Sequence, residues 1–177
     1  EKHNNTLDNV LDVCKYEARG ERAFVPHYES PYRYGSMSEY PFTFIDHKSR
    51  LNKEGRSANC SWYQEFKKVD LGDDSWDDVL KINPADAAKM GIKDGDMVRI
   101  SSVIASFEIK AKLWEGVRPG QVAKCYGQGH WAYGRVALED GKKRGFNNND
   151  LMPDDYDRIS GSTARNGGFV GVKIEKV

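Results

Sequence analysis

The stretch Ile82-Asn83-Pro84-Ala85-Asp86-Ala87-Ala88-Lys89-Met90-Gly91-Ile92-Lys93-Asp94-Gly95-Asp96-Met97-Val98-Arg99-Ile100 constrains this chain more than any other. Asn83 is a good helix N-cap, and Pro84 follows at the first helical position, where a missing N–H costs nothing. Asp86 places negative charge in the first turn, where the helix dipole favours it. Gly91 falls where a helix end calls for positive φ. Asp94-Gly95 is a turn dipeptide, and Met97-Val98-Arg99-Ile100 has strand composition. A strand end, one short capped helix, a tight turn and a new strand therefore succeed one another with almost no linker.

The flanking sequence predicts more short strands. Tyr40–Ile45 and Val79–Ile82 are strands by composition, and Val103–Leu113, Gln121–Tyr126 and Phe169–Val177 follow them. Two short helices are expected, over Asn9–Ala18 and over residues 61–68, the second with Trp62 and Phe66 on one face. Glu115–Gly120 is a turn, Gly127-Gln128-Gly129 opens a long loop, and residues 141–153 are polar and rich in Asn. Short strands around one capped helix predict a small β-barrel whose edges close on one another. Residues 1–38, with two prolines and three tyrosines between Val25 and Tyr34, read as an irregular lead-in arm or the tail of a preceding domain. Residues 39–177 form the barrel domain.

Composition excludes several classes. The 177 residues suffice for one core, and 27 Lys+Arg against 27 Asp+Glu make no electrostatic case for nucleic acid or an anionic membrane. No apolar run approaches the roughly 20 residues of a membrane helix. The first residues are polar and carry no signal sequence, and without an initiator Met the chain reads as a fragment of something larger. Cys14, Cys60 and Cys125 are too scattered for a zinc or iron–sulfur site, and they read as incidental thiols. A nucleophilic Cys125 beside His130 lacks a catalytic geometry. The acidic group Asp73, Asp74, Asp77 and Asp78 lacks the spacing of a calcium loop and reads as a solvated loop. Asp94 and Asp96 sit at a turn and need no catalytic role.

The Asn83–Arg99 stretch resembles the N-P-x-D-A-x-x-x-G-I-x-D-G-D-x-V element in the C-terminal domain of the dimethyl sulfoxide reductase family of molybdopterin oxidoreductases. Three further segments resemble that domain in the same order. The first is Pro41–Ile45 with Asp46-His47-Lys48-Ser49-Arg50, where family members often carry a T-G-R-like turn. The second is Gly116–Gly120 with the following strand and Gly129-His130-Trp131. The third is Asn147-Asn148-Asn149-Asp150-Leu151 with Asp157-Arg158-Ile159-Ser160-Gly161-Ser162. The departure at residues 46–50 resembles the polysulfide, thiosulfate, tetrathionate and arsenate reductase branch.

The resemblance implies a mainly β fold with short helices, a double-psi β-barrel. It implies a domain that covers and orients bis-molybdopterin guanine dinucleotide carrying molybdenum or tungsten, in an enzyme that reduces a small oxyanion or sulfur compound in anaerobic respiration. The metal ligand and any iron–sulfur cluster would belong to earlier parts of the parent. The implied partners are preceding domains of the same catalytic subunit, an iron–sulfur electron-transfer subunit and a membrane anchor subunit, with the parent periplasmic or otherwise extracytoplasmic. No nucleic acid and no direct membrane insertion are expected.

Candidate cofactor-binding residues are His47, Ser49, Arg50, His130, Trp131, Asn148, Asn149 and Ser160. Asn side chains offer both donor and acceptor to a pterin or guanine edge, and hydroxyls and cations suit a pyrophosphate. Each has a plainer reading. His47 and Arg50 could be surface charges paired with nearby acids, His130 a loop cap, Trp131 core filling, and the Asn run and Ser160 simple turns. Two other functions fit the chain less well: a stand-alone double-psi barrel used as a protein-interaction module, and a hydrolase or decarboxylase using His130. The second has no legible nucleophile, base and orienter set.

Overall fold

The structure, a computed structural model, describes residues 4–14, 16–28, 32–129, 144–155 and 170–177. Its chain contacts fall into two units. The described residues up to 32 with 154–155 make one, and residues 33–129, 144–153 and 170–177 make the other. In the first unit, helix α1 spans Asn4–Val13 and a short 3-10 turn spans Gly20–Phe24. The helix expected over Asn9–Ala18 thus lies earlier and ends at Val13, because no glycine or proline marks its boundary and only composition suggested it.

The second unit is a closed six-stranded barrel, the mainly β architecture expected. Its strands are β1 (Phe42–His47), β2 (Val79–Ile82), β3 (Met97–Ser101), β4 (Ser106–Leu113), β5 (Gln121–Cys125) and β6 (Gly171–Lys176). Around the wall they run β1-β5-β2-β4-β3-β6. The pairs β1–β5 and β2–β4 are parallel, and the other four contacts are antiparallel. Closure leaves no free edge among these six strands, which is how so small a sheet avoids exposing unpaired backbone.

The opening stretch folds as its residues predict. Asn83 Oδ1 accepts from Ala85 N at 2.9 Å, capping helix α3 (Pro84–Lys89), while Asn83 Nδ2 donates to Val117 O at 2.7 Å. Gly91 ends the helix with φ +67. Asp94 Oδ1 accepts from Leu113 N and Asp96 Oδ2 from Lys93 N, so both carboxylates are structural turn acceptors. The strand expected from Val103 begins instead at Ser106. Residues 102–105 make the tight turn between β3 and β4, with Ser102 N donating to Ala105 O. Helix α2 covers Ser61–Phe66 and runs on into a 3-10 turn, Lys67–Val69.

The core fills the barrel. Phe44, Leu80, Ile82, Val98, Ile100, Ile109, Val122 and Val172 point inward from the six strands. Phe146, from the segment that precedes Asn147, is fully buried in this core and stacks on Phe107 at 4.9 Å. Residues 33–38 belong to this unit. The Arg33 guanidinium donates to Thr43 Oγ1 and to the carbonyls of Tyr40 and Phe42, and Tyr34 bridges Val170.

The acidic loop is not a solvated loop, contrary to expectation. Asp73 and Asp78 are only 5% and 2% exposed, and four lysines meet the loop: Lys81 reaches Asp73, Lys124 reaches Asp78, Lys110 reaches Asp77 and Lys112 reaches Asp74. Its carboxylates are the counter-ions of lysines that the strands carry on or into the barrel wall. Burying such charges demands partners, and the loop supplies them.

Candidate functional site

Parallel pairing of β1 and β5, in register His47↔Cys125, sends the chain out of both strands at the same end of the barrel. The two exit loops are stitched together there. Asn52 Nδ2 donates to Tyr126 O at 3.0 Å and Asn52 Oδ1 accepts from Ser57 N. Gly129, at φ +84, lies so close to the backbone of Phe146 and Asn147 that a Cβ would come within 2.2 Å of it. Loops from residues 48–60, 126–129 and 144–151 thus converge, although they lie far apart in sequence.

Asn148 sits at the centre of this convergence and is buried. Its Oδ1 accepts from Lys124 Nζ at 2.7 Å, and its Nδ2 donates to Asp46 Oδ1 at 2.6 Å and to Lys124 O at 3.3 Å. Lys124 also meets Asp78 Oδ2 at 2.8 Å and lies over the Phe146 ring. Burial pushes the Asp78 carboxyl up and the Lys124 ammonium down from their ordinary values, and their mutual attraction opposes both. Asn148 therefore ties its segment into the barrel. Asn149, next to it, is exposed.

A groove of about 680 Å³ runs along the outer wall beside this end. Its floor is a cross-strand row, Ile45 beside Ala123 beside Lys81, set by the registers of β1, β5 and β2. Alternation along β1 turns Phe44 and Asp46 inward, and Ile45 and His47 toward the groove. Lys48, Arg50 and Arg118 add cationic side chains around it, and Trp114 forms a wall. Lys81 Nζ is held 3.2 Å from His47 Nε2, from Leu71 O and from Asp73 Oδ1, and 5.0 Å from the Trp114 ring. Burial first, and the Lys81 charge second, depress the His47 pKa, which keeps the imidazole neutral and able to accept from Lys81.

The expected site residues divide accordingly. His47 and Arg50 line the groove together. Arg50 is 67% exposed and pairs with Asp70 at 2.6 Å. Ser49 is fully buried with its hydroxyl given to the Asp70 carboxylate, so it orients the loop. Burial raises the Asp70 pKa, but the Ser49 and Arg50 hydrogen bonds outweigh it and hold the carboxyl below its ordinary value. His130, Trp131 and Ser160 lie outside the described residues. Sequence reasoning missed Lys81 and Trp114. Lys81 was hidden inside a strand of otherwise apolar residues, where a lysine was itself the signal. Cys125 is buried, and burial, with Asp73 next, pushes its thiol up to about 11, so it is no nucleophile. Among the described residues no group of His, Cys, Asp and Glu is placed to hold a metal ion, and no helix is long and apolar enough to cross a membrane.

The family described as "Molydopterin dinucleotide binding domain" matches residues 55–168. The chain belongs to this family. It is a cofactor-binding domain, the role its motifs pointed to, and the match gives no support to a stand-alone interaction module. Over 179 aligned residues, 99% of this chain, it is 64% identical to the arsenate respiratory reductase molybdopterin-containing subunit ArrA of Chrysiogenes arsenatis. It is 56% identical to the subunit of the same name from Shewanella sp. (strain ANA-3). The chain spans 21% of the length of each of these relatives. Acetylene hydratase from Pelobacter acetylenicus shares the fold at a TM-score of 0.59 and 16% identity, over 86% of this chain and 21% of that one.

The donor set suits such a cofactor. A dinucleotide's pyrophosphate is anionic, and Lys48, Arg50, Lys81 and Arg118 border one groove, while Asn149 is exposed on one of the converging loops.

Proposed function

We propose that this domain belongs to a molybdenum or tungsten oxidoreductase of the arsenate respiratory reductase kind, and that its barrel end and groove hold one flank of the bis-molybdopterin guanine dinucleotide. The convergence of the β1, β5 and 144–151 loops beside a cation-bordered groove carries the reading. Arg50, Lys48 and Arg118 face the phosphates, Asn149 offers amide groups to a pterin or guanine edge, and His47 and Lys81 set the charge of the groove floor. Ser49 and Asn148 hold the loops that carry these groups. His130, Trp131 and Ser160 complete the candidate set. When bound, the cofactor supplies the redox chemistry, and the protein positions it and tunes its surroundings.

The identity to two subunits named for arsenate supports arsenate as the parent's substrate. The same reading gives the parent an iron–sulfur electron-transfer subunit and a membrane anchor as partners and an extracytoplasmic location. Purified full-length parent protein, made in a host with a working cofactor pathway, tests the reading. Elemental analysis should find molybdenum or tungsten with about two guanine nucleotides released per metal, because two dinucleotides ligate it. It should also oxidise a reduced viologen dye in the presence of arsenate. Metal and nucleotide without arsenate activity would remove the substrate; absence of both would remove the cofactor reading.

A further inference from the structure

Helix α2 and the turn after it carry several large apolar side chains on their outer face. The side chains turned inward are Tyr63, Gln64 and Lys67, at 1%, 2% and 0% exposure. Those turned outward are Trp62 and Phe66, at 59% and 52%, followed by Val69 and Leu71, at 48% and 73%. Trp62 and Phe66, one helical turn apart, lie with ring centroids 5.2 Å from one another.

The inward polar groups are provided for. Gln64 Nε2 donates to Ala58 O at 2.8 Å, and Lys67 Nζ to Asp77 O at 2.5 Å. The helix is therefore anchored in this orientation and cannot roll its apolar face inward without stranding a buried lysine and amide. Scattered apolar side chains on a surface need no explanation, but two aromatic rings in contact and continued by Val and Leu along one short run are the composition of an interface core.

We infer that this α2 face is the docking surface for the rest of the same molybdopterin subunit, the part its relatives possess beyond the 21% of their length that this chain matches. The inference rests on the reading of the chain as a domain of such a subunit. Two observations favour this occupant. The relatives place the domain in a chain about five times longer, which must pack against it somewhere. The face also runs into the cofactor groove: Leu71 and its neighbour Asp70 both border it.

Hydroxyl-radical footprinting of the full-length subunit, purified alone with cofactor, tests this without any variant. Trp62 and Phe66 should be oxidised at least tenfold more slowly than in the urea-unfolded subunit, approaching the buried Tyr63, and a maleimide should label Cys60, two residues before Trp62, correspondingly slowly. Oxidation of Trp62 within twofold of the unfolded rate overturns the inference. Protection that appears only when an iron–sulfur or anchor subunit is added assigns the face to that subunit and overturns it too. Protection that fades on dilution assigns it to a second copy, with the same result. Metal and nucleotide content, measured on the same sample, reports separately on the cofactor reading: a loaded subunit with Trp62 exposed sinks only the docking face.

Discussion

Replacing Asp78 by Asn should destabilise the barrel more than any surface change could. The Lys124 and Asp78 side chains are 0% and 1% exposed and meet at 2.8 Å inside the wall. Removing one partner of such a pair leaves an uncompensated buried charge, at a cost of about 3–5 kcal/mol. In Asp78→Asn the Lys124 ammonium keeps only the Asn148 amide oxygen, at 2.7 Å, its neighbour's carbonyl and the face of Phe146, at 4.7 Å. Lys124→Met should cost less, because the Lys67 charge still acts on Asp78. With a guanidinium slope of about 4 kcal/mol per M, the Asp78→Asn midpoint falls by on the order of 1 M. The double variant Asp78→Leu, Lys124→Met should recover most of that loss, since a well-packed apolar pair replaces a buried ion pair at little cost. Guanidinium unfolding followed by tryptophan fluorescence, run on all three variants, reads these losses side by side. A loss below about 1 kcal/mol in Asp78→Asn, or a double variant no better than the worse single, would refute the claim that these charges are desolvated and mutually dependent.

Three further outcomes follow from single residues. Asn83→Ala removes both the α3 cap and the bond to Val117 O, and thermal unfolding should show a loss of about 1–2 kcal/mol. His47, whose pKa is depressed by burial and then by Lys81, with Asp73, Asp46 and the Lys48 backbone opposing, binds fewer protons folded than unfolded. Its contribution is therefore complete above about pH 6.5 and is lost as pH falls through the window below that value, and His47→Gln should flatten that part of a stability–pH curve. At pH 8 a thiol reagent should modify the exposed Cys60 of the isolated chain quickly and leave Cys125, raised to about 11 by burial, untouched until unfolding; equal rates would contradict the buried placement.

What was legible in the sequence was local. The Asn83 cap, Gly91 and the Asp94-Gly95 turn are interactions between near neighbours, and the strand Val79–Ile82 appeared where its composition put it. What stayed hidden depends on partners far along the chain. Asp73, Asp74, Asp77 and Asp78 look like a solvated acidic run because Lys110, Lys112 and Lys124 stand more than 30 residues away. Asn148 looked like a ligand for a pterin edge, but its amide is spent on Lys124 and Asp46, a contact that only the 102-residue separation of its ends could conceal. The outward turn of α2 was foreshadowed by Trp62 and Phe66 sharing a face. Which way that face points was decided by Lys67 and Gln64 finding inward partners.

Strand β6 carries a kinetic consequence. It pairs with β1 on one side and β3 on the other, so residues 171–176 are the stave that shuts the barrel. Until they have been synthesised, β1 and β3 each present an open edge, and the Tyr34–Val170 bridge has no second half. The parallel β1–β5 pairing adds a contact spanning more than 70 residues, the kind of non-local closure that folds slowly. Barrel closure is thus a late event on the growing chain, because its last stave is also the last strand to be made.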